Sequence, residues 1–181
     1  KIEGVNNSDF ELDELRKKVD TKQSELQELA ENLSEKRTAS FDSLKQRITS
    51  MLKDLGIPNA SFVIKNSRLE NFTPHGKDDV QFLFSANKNV EPEDIAKVAS
   101  GGELSRLMLT LKALIAEKTA LPTIIFDEID SGTSGEIADK MGAIMEKMAN
   151  NMQVINITHL PQIASKGHHH YLVYKSDEKD Q

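Results

Sequence analysis

The sequence has no cysteine and no tryptophan, which excludes a disulfide scaffold, a thiolate zinc site and a cysteine nucleophile. Aromatic residues are scarce, at 5%. No apolar run approaches the roughly 20 residues of a membrane-spanning helix, and no signal-peptide pattern opens the chain. Basic residues are in deficit: 23 Lys and Arg stand against 29 Asp and Glu, a formal net charge of −6. The deficit is shared between residues 1–55 and 56–181, so neither part offers the basic stripe that binds a DNA backbone unaided. A nucleic-acid role would have to come from a larger assembly or from a local patch. What remains is an ordinary globular composition, 38% hydrophobic over 181 residues, long enough to bury about 70% of its unfolded surface. Because it starts at Lys1 and not at methionine, the sequence is expected to be a piece of a longer polypeptide.

Proline and glycine are missing from residues 10–55. Leu12, Leu15, Val19, Leu26, Leu29 and Leu33 keep a three-four spacing there, with polar Lys22 in the vacant slot. This is the seam of a coiled coil over about three heptads. Phe41, Leu44, Ile48, Met51 and Leu55 resume the spacing eight residues after Leu33 instead of seven, a slip that marks a junction. One long helix is expected, its first part a coiled-coil arm and its second rooted in a globular head. Gly56 and Pro58 end it.

Beyond the helix the period falls to two. Phe62 and Ile64 form one alternating run and Val80, Phe82 and Phe84 another, with a polar loop between them containing Asn66, Pro74, His75 and Gly76. Residues 87–99 read as loop. Helices are expected at about 103–118, 134–148 and 161–165, and apolar strands at 122–126, 154–157 and 171–174. Helices alternating with continuous apolar strands indicate an α/β layer around a parallel sheet. The polar residues 176–181 form a fraying tail.

The strand ending in Phe126 runs directly into Asp127 and Glu128. Ligands of open α/β sheets bind beyond the carboxyl ends of the strands, which places both acids on the functional edge. One carboxylate there can serve a hydrated Mg²⁺ while the other faces a water attacking phosphorus. Alone, the pair reads equally as a cap on the next turn. It is accompanied by Ser100-Gly101-Gly102-Glu103-Leu104-Ser105-Arg106 before an amphipathic helix, where bare backbone N–H groups and the helix terminus favour an anion. His159 follows the strand 154–157 after Thr158, at the same sheet edge, and Asp130-Ser131-Gly132-Thr133-Ser134-Gly135 follows the acidic pair. The run His168, His169 and His170 opens the expected strand 171–174, where alternate side chains would face opposite ways, and is taken as part of it and not as a metal site.

In this order the motifs resemble the C-terminal half of an ABC-type ATPase head, most closely the RecN family of SMC-like bacterial DNA repair proteins. The runs carrying the likeness are Ala96-Lys97-Val98-Ala99 before the signature, Phe126-Asp127-Glu128-Ile129-Asp130, Thr158-His159-Leu160-Pro161-Gln162-Ile163-Ala164, and His169-His170-Tyr171-Leu172-Val173-Tyr174-Lys175. They cover about residues 50–175. Ser131 and Thr133 stand where the family more often has Thr and Val, changes within one size class. The resemblance implies an α/β head lobe (56–175) carried on a coiled-coil arm and its root (1–55). It implies ATP and Mg²⁺ as cofactors. Ser100, Gly101, Gly102 and Glu103 would meet the γ-phosphate of ATP held by an opposing head, and Asp127 would support Mg²⁺ through water. Glu128 would polarise the attacking water, and His159 would act as a switch near the γ-phosphate. Asp130, Ser131 and Gly132 would form a loop crossing the dimer interface. The implied setting is the bacterial cytoplasm at the nucleoid, with DNA bound by the full-length assembly and no membrane partner.

No Gly-x-x-x-x-Gly-Lys-Ser/Thr phosphate loop occurs in the sequence. That lobe is expected from an N-terminal part of the same native polypeptide, across the coiled-coil arm, with ATP sandwiched in a homodimer of heads. The chain alone is therefore expected to bind ATP weakly and to hydrolyse it negligibly. Two alternatives stay open: a structural coiled-coil module with a non-hydrolysing head, and an ABC transporter nucleotide-binding subunit. The second is disfavoured by heptad helix where a phosphate loop should precede the signature.

Overall fold

The computed structural model describes residues 3–97 and 101–174, with side chains from Phe10 onward. Val98, Ala99 and Ser100, and the tail expected at 176–181, lie outside the described residues. The elements are α1 (Glu3–Asp54), β1 (Ser61–Thr73), β2 (Gly76–Ser85), β3 (Glu93–Asp94), a 3-10 turn (Ile95–Lys97), α2 (Gly101–Ala116), β4 (Thr123–Asp127), α3 (Gly135–Ala149), β5 (Gln153–Ile157) and α4 (Pro161–Ala164). The expected α/β class and the single long helix are both present. Among the described residues no helix is long and apolar enough to cross a membrane.

The chain divides into two compact units. The first joins Lys1–Lys45 to Ile64–Phe82, and the second joins Gln46–Val63 to Leu83–Gln181. A boundary at residue 55 follows the chain, whereas in space the outer part of the β1–β2 hairpin belongs with the arm helix.

In the first unit the hairpin turns at Pro74-His75, and β1 is far longer than Phe62 and Ile64 suggest. Residues 65–70 are exposed and, apart from Leu69, polar, yet they are extended, because strand pairing with β2 satisfies their backbone. The side of α1 facing the hairpin carries buried Ala30 and Ser34. Ser34 Oγ (2.8 Å) and Arg37 Nη1 (2.9 Å) both donate to Asp78 of β2, and Arg68 of β1 pairs with Glu31. Ser34 and Arg37 fall inside the eight-residue step between Leu33 and Phe41, so the slip marks the place where the helix receives the hairpin. Leu12, Leu15, Val19, Leu26 and Leu29 stay exposed, as the seam of an unpaired coiled-coil helix would.

In the second unit α1 ends as its glycine demands. Gly56 has φ +78°, Ile57 N–H donates to Leu52 O (2.8 Å) and Gly56 N–H to Lys53 O (3.1 Å), a left-handed C-terminal cap. A side chain at Gly56 would also meet Ile137 Cδ1 at 2.6 Å. The core gathers Leu55 just after α1, Leu109 and Ala113 of α2, Phe126 of β4, and Ala138, Met141, Met145 and Met148 of α3.

β4 and β5 pair in parallel, with Phe126 opposite Asn156 and Asp127 opposite Ile157. Ile124, Phe126 and Val154 belong to the core side, while Ile125 is 62% exposed and Ile155 and Ile157 are also bare. The expected fully buried strands are therefore covered on one face only. The strand expected at 171–174 is absent: these residues form no regular element, and Tyr171, Leu172 and Val173 are 86–94% exposed. Apolar alternation alone does not make a strand; a neighbour must accept its hydrogen bonds, and none does so among the described residues.

Candidate active site at the tips of the parallel strands

Parallel register places the acidic pair and the histidine together. Since Asp127 lies opposite Ile157, Glu128 and the step Thr158-His159 leave the sheet side by side. The Glu128 N–H donates to Ile157 O (3.0 Å), locking the two exits to each other. Asp127, Glu128 and His159 are all exposed, open to a ligand or to a further protein surface.

Glu128 has φ +47°, left-handed for a residue with a side chain. Its carbonyl accepts the Ser131 N–H (3.0 Å), so bonds on both sides hold the conformation. That geometry costs about 1–2 kcal/mol in a non-glycine residue, and such outliers cluster where a side chain must be aimed. Glu128→Gly is accordingly expected to be about 1 kcal/mol more stable than Glu128→Ala. Urea unfolding of the two variants checks this, and equal stabilities would show that the turn carries no strain.

α2 approaches the same edge. A methyl group built on Gly102 would lie 3.6 Å from the Ser131 carbonyl oxygen and 4.0 Å from that of Gly132, so the first turn of α2 rests on the loop that follows Glu128. Gly101 has nothing within 4 Å of the corresponding position. A hollow of about 430 Å³ runs between Leu104, Ser105 and Met108 of α2 and the strand from Ile124 to Asp127, reaching Glu128. Glu103 lies in the first turn of α2 and is partly covered. Gly101, Gly102, Ser131, Gly132, Asp127, Glu128 and His159 thus occur on one edge of one unit, while Ser100 lies outside the described residues.

Asp130 differs from its neighbours Ser131 and Gly132, which are exposed. It is fully buried, its Oδ2 accepts the Thr158 hydroxyl, and its backbone carbonyl accepts the Thr133 Oγ1 (2.7 Å) and N–H (3.1 Å). The Thr158 hydroxyl thus bonds the carboxylate and Thr133 the main chain, while the other carboxylate oxygen, Oδ1, is buried with no partner among the described residues.

Across the described residues no group of three or more His, Asp or Glu could hold a metal ion. His168, His169 and His170 are exposed coil, with His170 Nε2 3.0 Å from Gly167 O. A single strand-tip carboxylate fits an ion that keeps most of its water and takes other ligands from phosphate, as Mg²⁺ does.

Similar proteins confirm the family. Over 176 residues, 96% of this chain, it is 35% identical to the DNA repair protein RecN of Xylella fastidiosa, and over 154 residues, 85% of the chain, 44% identical to that of Rickettsia conorii. The chain belongs with the RecN proteins. It spans about a third of their length, 32% and 28% respectively. No protein-family model matches it. Among solved structures, the Smc head domain with a coiled coil and joint from Pyrococcus yayanosii matches 72% of the RecN-like chain and 24% of its own, with TM-score 0.55 and 18% identity. A structure titled for ATP-driven dimerization and DNA-stimulated activation of SMC ATPases matches 77% of this chain and 81% of its own, with TM-score 0.51 and 19% identity. At these identities the likeness is one of fold.

Two residues of this RecN-like edge carry contacts that motif reading left without a role. Thr158 was a step before His159, yet its hydroxyl joins both loops. Arg106, inside the signature run, sends Nη1 to Leu55 O (3.4 Å) just past the end of α1; a cation within the first turns of its own helix carries no such signal. Asn156, inward on β5, has a buried amide without a partner among the described residues.

Proposed function

We propose that this segment is the signature-bearing half of an ATP-hydrolysing head in a RecN-like protein acting in DNA double-strand break repair and recombination. The observation that carries the proposal is the shared edge: Asp127-Glu128 and Thr158-His159 leave paired parallel strands in register, and the glycine turn of α2 rests on the loop after Glu128. Phosphoryl transfer asks a protein mainly for positioning and for neutralisation of charge, and this edge has groups suited to both. The exposed Glu128 carboxylate would orient the water that attacks the γ-phosphorus and take up its proton as the bond to ADP breaks. His159 would donate to a γ-phosphate oxygen. Ser100 and the free N–H groups of Gly101 and Gly102, at the positive end of a 16-residue helix, would hold the γ-phosphate of a nucleotide seated on an opposing head. Asp127 would hold Mg²⁺ through water, and the ion supplies neutralisation of the phosphate charge.

The phosphate loop would come from an N-terminal lobe of the same polypeptide. Two features support that: the sequence lacks the motif, and the β4–β5 pair leaves Ile125, Ile155 and Ile157 bare, although parallel sheets are as a rule covered on both faces. The arm and root (1–55) would link the lobes, and DNA contact would belong to the assembled cytoplasmic protein, since this chain carries a net charge of −6.

Co-expression of the chain with the missing lobe tests the proposal. ATP turnover and ATP-dependent pairing of heads are expected for the complex, and neither for the chain alone. A complex that forms but never turns over ATP, or a lone chain with Glu128-dependent turnover, overturns it.

A further inference from the structure

Asp130 and Thr158 form the one side-chain bond described between the loop after β4 and the loop after β5. Asp130 is wholly buried. Its Oδ2 takes the Thr158 hydroxyl proton, and its Oδ1 is buried with no partner among the described residues. The same Thr158 oxygen accepts the Leu160 N–H at 2.9 Å, so the hydroxyl bridges a carboxylate on one side and the backbone just past His159 on the other. On the Asp130 side, Thr133 closes the turn onto the Asp130 carbonyl from both its hydroxyl and its N–H. One residue before the clasp on one loop is Ile129, and before that Glu128; on the other loop His159 lies between Thr158 and Leu160, the two residues the clasp ties down.

We propose that Asp130 and Thr158 are positioning residues: their buried bond sets His159 against Glu128, and neither touches nucleotide. This rests on the function proposed above, because it assigns a purpose to the spacing of those two exposed side chains. The backbone bond from Glu128 N–H to Ile157 O fixes where the loops begin. It leaves His159 two residues further on, and among the described residues the Thr158 bridge is the side-chain bond that reaches that far. A group displaced by about 1 Å can cost on the order of 100-fold in rate, so a clasp at this place matters more to turnover than its single bond does to folding.

Thr158→Val keeps the shape, removes the donor, and leaves both the Asp130 carboxylate and the Leu160 N–H without it. Thr158→Ser keeps the hydroxyl. In the 181-residue chain, amide hydrogen exchange at Leu160 is expected to rise about 10-fold in Thr158→Val and to return near the parent value in Thr158→Ser. In the complete polypeptide, kcat for ATP is expected to fall about 10-fold in Thr158→Val with KM changed less than about 3-fold, and Thr158→Ser to recover most of the loss. A role confined to folding would move stability and leave kcat of the folded enzyme alone. Unchanged Leu160 exchange, or a kcat within about 2-fold of the parent, overturns the clasp. If the parent turns over ATP equally well after Glu128→Gln, the proposed function fails instead, and the catalytic purpose of the clasp falls with it even where the exchange result holds.

Discussion

Glu128→Gln is expected to lower ATP turnover of the complete polypeptide by about 100-fold or more, since a positioned general base contributes about 10²–10⁴. The substitution is chosen for what it leaves intact. Glutamine has the size and reach of glutamate, and the backbone at 128 is held by bonds from its own N–H and to its own carbonyl, neither of which involves the side chain. The left-handed turn is strained to the same degree in both, so folding should be unaltered. The amide cannot take the proton of an attacking water. Nucleotide binding and pairing of heads should therefore persist, or lengthen, while hydrolysis stops. Turnover by phosphate release, together with light scattering in the presence of ATP, checks both halves. A loss below about 3-fold would remove Glu128 from the reaction. Asp127→Asn supplies the contrast: it should raise the Mg²⁺ concentration needed for half-maximal rate.

How far these assignments were legible in the sequence depends on which physical signal each residue carries. Helix α3 was read to within a residue of its ends, because Ile137, Met141, Ile144, Met145 and Met148 repeat at helical spacing between clear stop signals. Gly56 was legible as a helix end because a glycine followed closely by Pro58 is a stop signal, and its φ of +78° is the conformation that residues with a Cβ resist. The strand-tip acids were legible because an apolar run ending in charge has few other places to sit in a parallel sheet. The outer hairpin was not. Residues 65–70 are exposed and polar but for Leu69, and what holds them is main-chain pairing and a charged contact, neither of which leaves an apolar period. The burial of Asp130 was not legible, because an acid in a Ser/Gly loop carries no apolar signal; only the fold brings the Thr158 hydroxyl to it. The stretch 171–174 fails in the opposite sense. Its apolar alternation is that of a strand, but the pattern specifies a need for neighbours without supplying them.

Asp78→Ala is expected to destabilise the first unit by about 2 kcal/mol, the scale of a hydrogen-bonded buried charge. Nothing of the Asp78 side chain is exposed. The Ser34 hydroxyl contributes most to holding its carboxyl below the ordinary 3.8; burial works against this, and Arg37 and Arg68 add to the lowering. Loss of the carboxylate leaves Ser34 buried without an acceptor. Arg37 and Arg68 reach solvent over part of their surface, which limits the damage to less than a fully buried pair would suffer. The pH dependence has a definite sign. A carboxyl with a depressed folded value binds fewer protons folded than unfolded in the window between the two values. Its contribution is complete above the ordinary carboxylate range and is lost as pH falls from there through the lower folded value. Near neutral pH the parent should thus show a flat profile, with loss of hairpin protection only on acidification below about pH 4. Asp78→Asn, which cannot ionise, should start less stable and lose that acid-dependent part of the slope. Amide exchange in β1 and β2 as a function of pH measures both effects. Protection in Asp78→Ala equal to the parent at neutral pH would mean that the hairpin stays on the helix through Ala30 and backbone pairing alone, with Ser34 and Arg37 as bystanders in the step between Leu33 and Phe41.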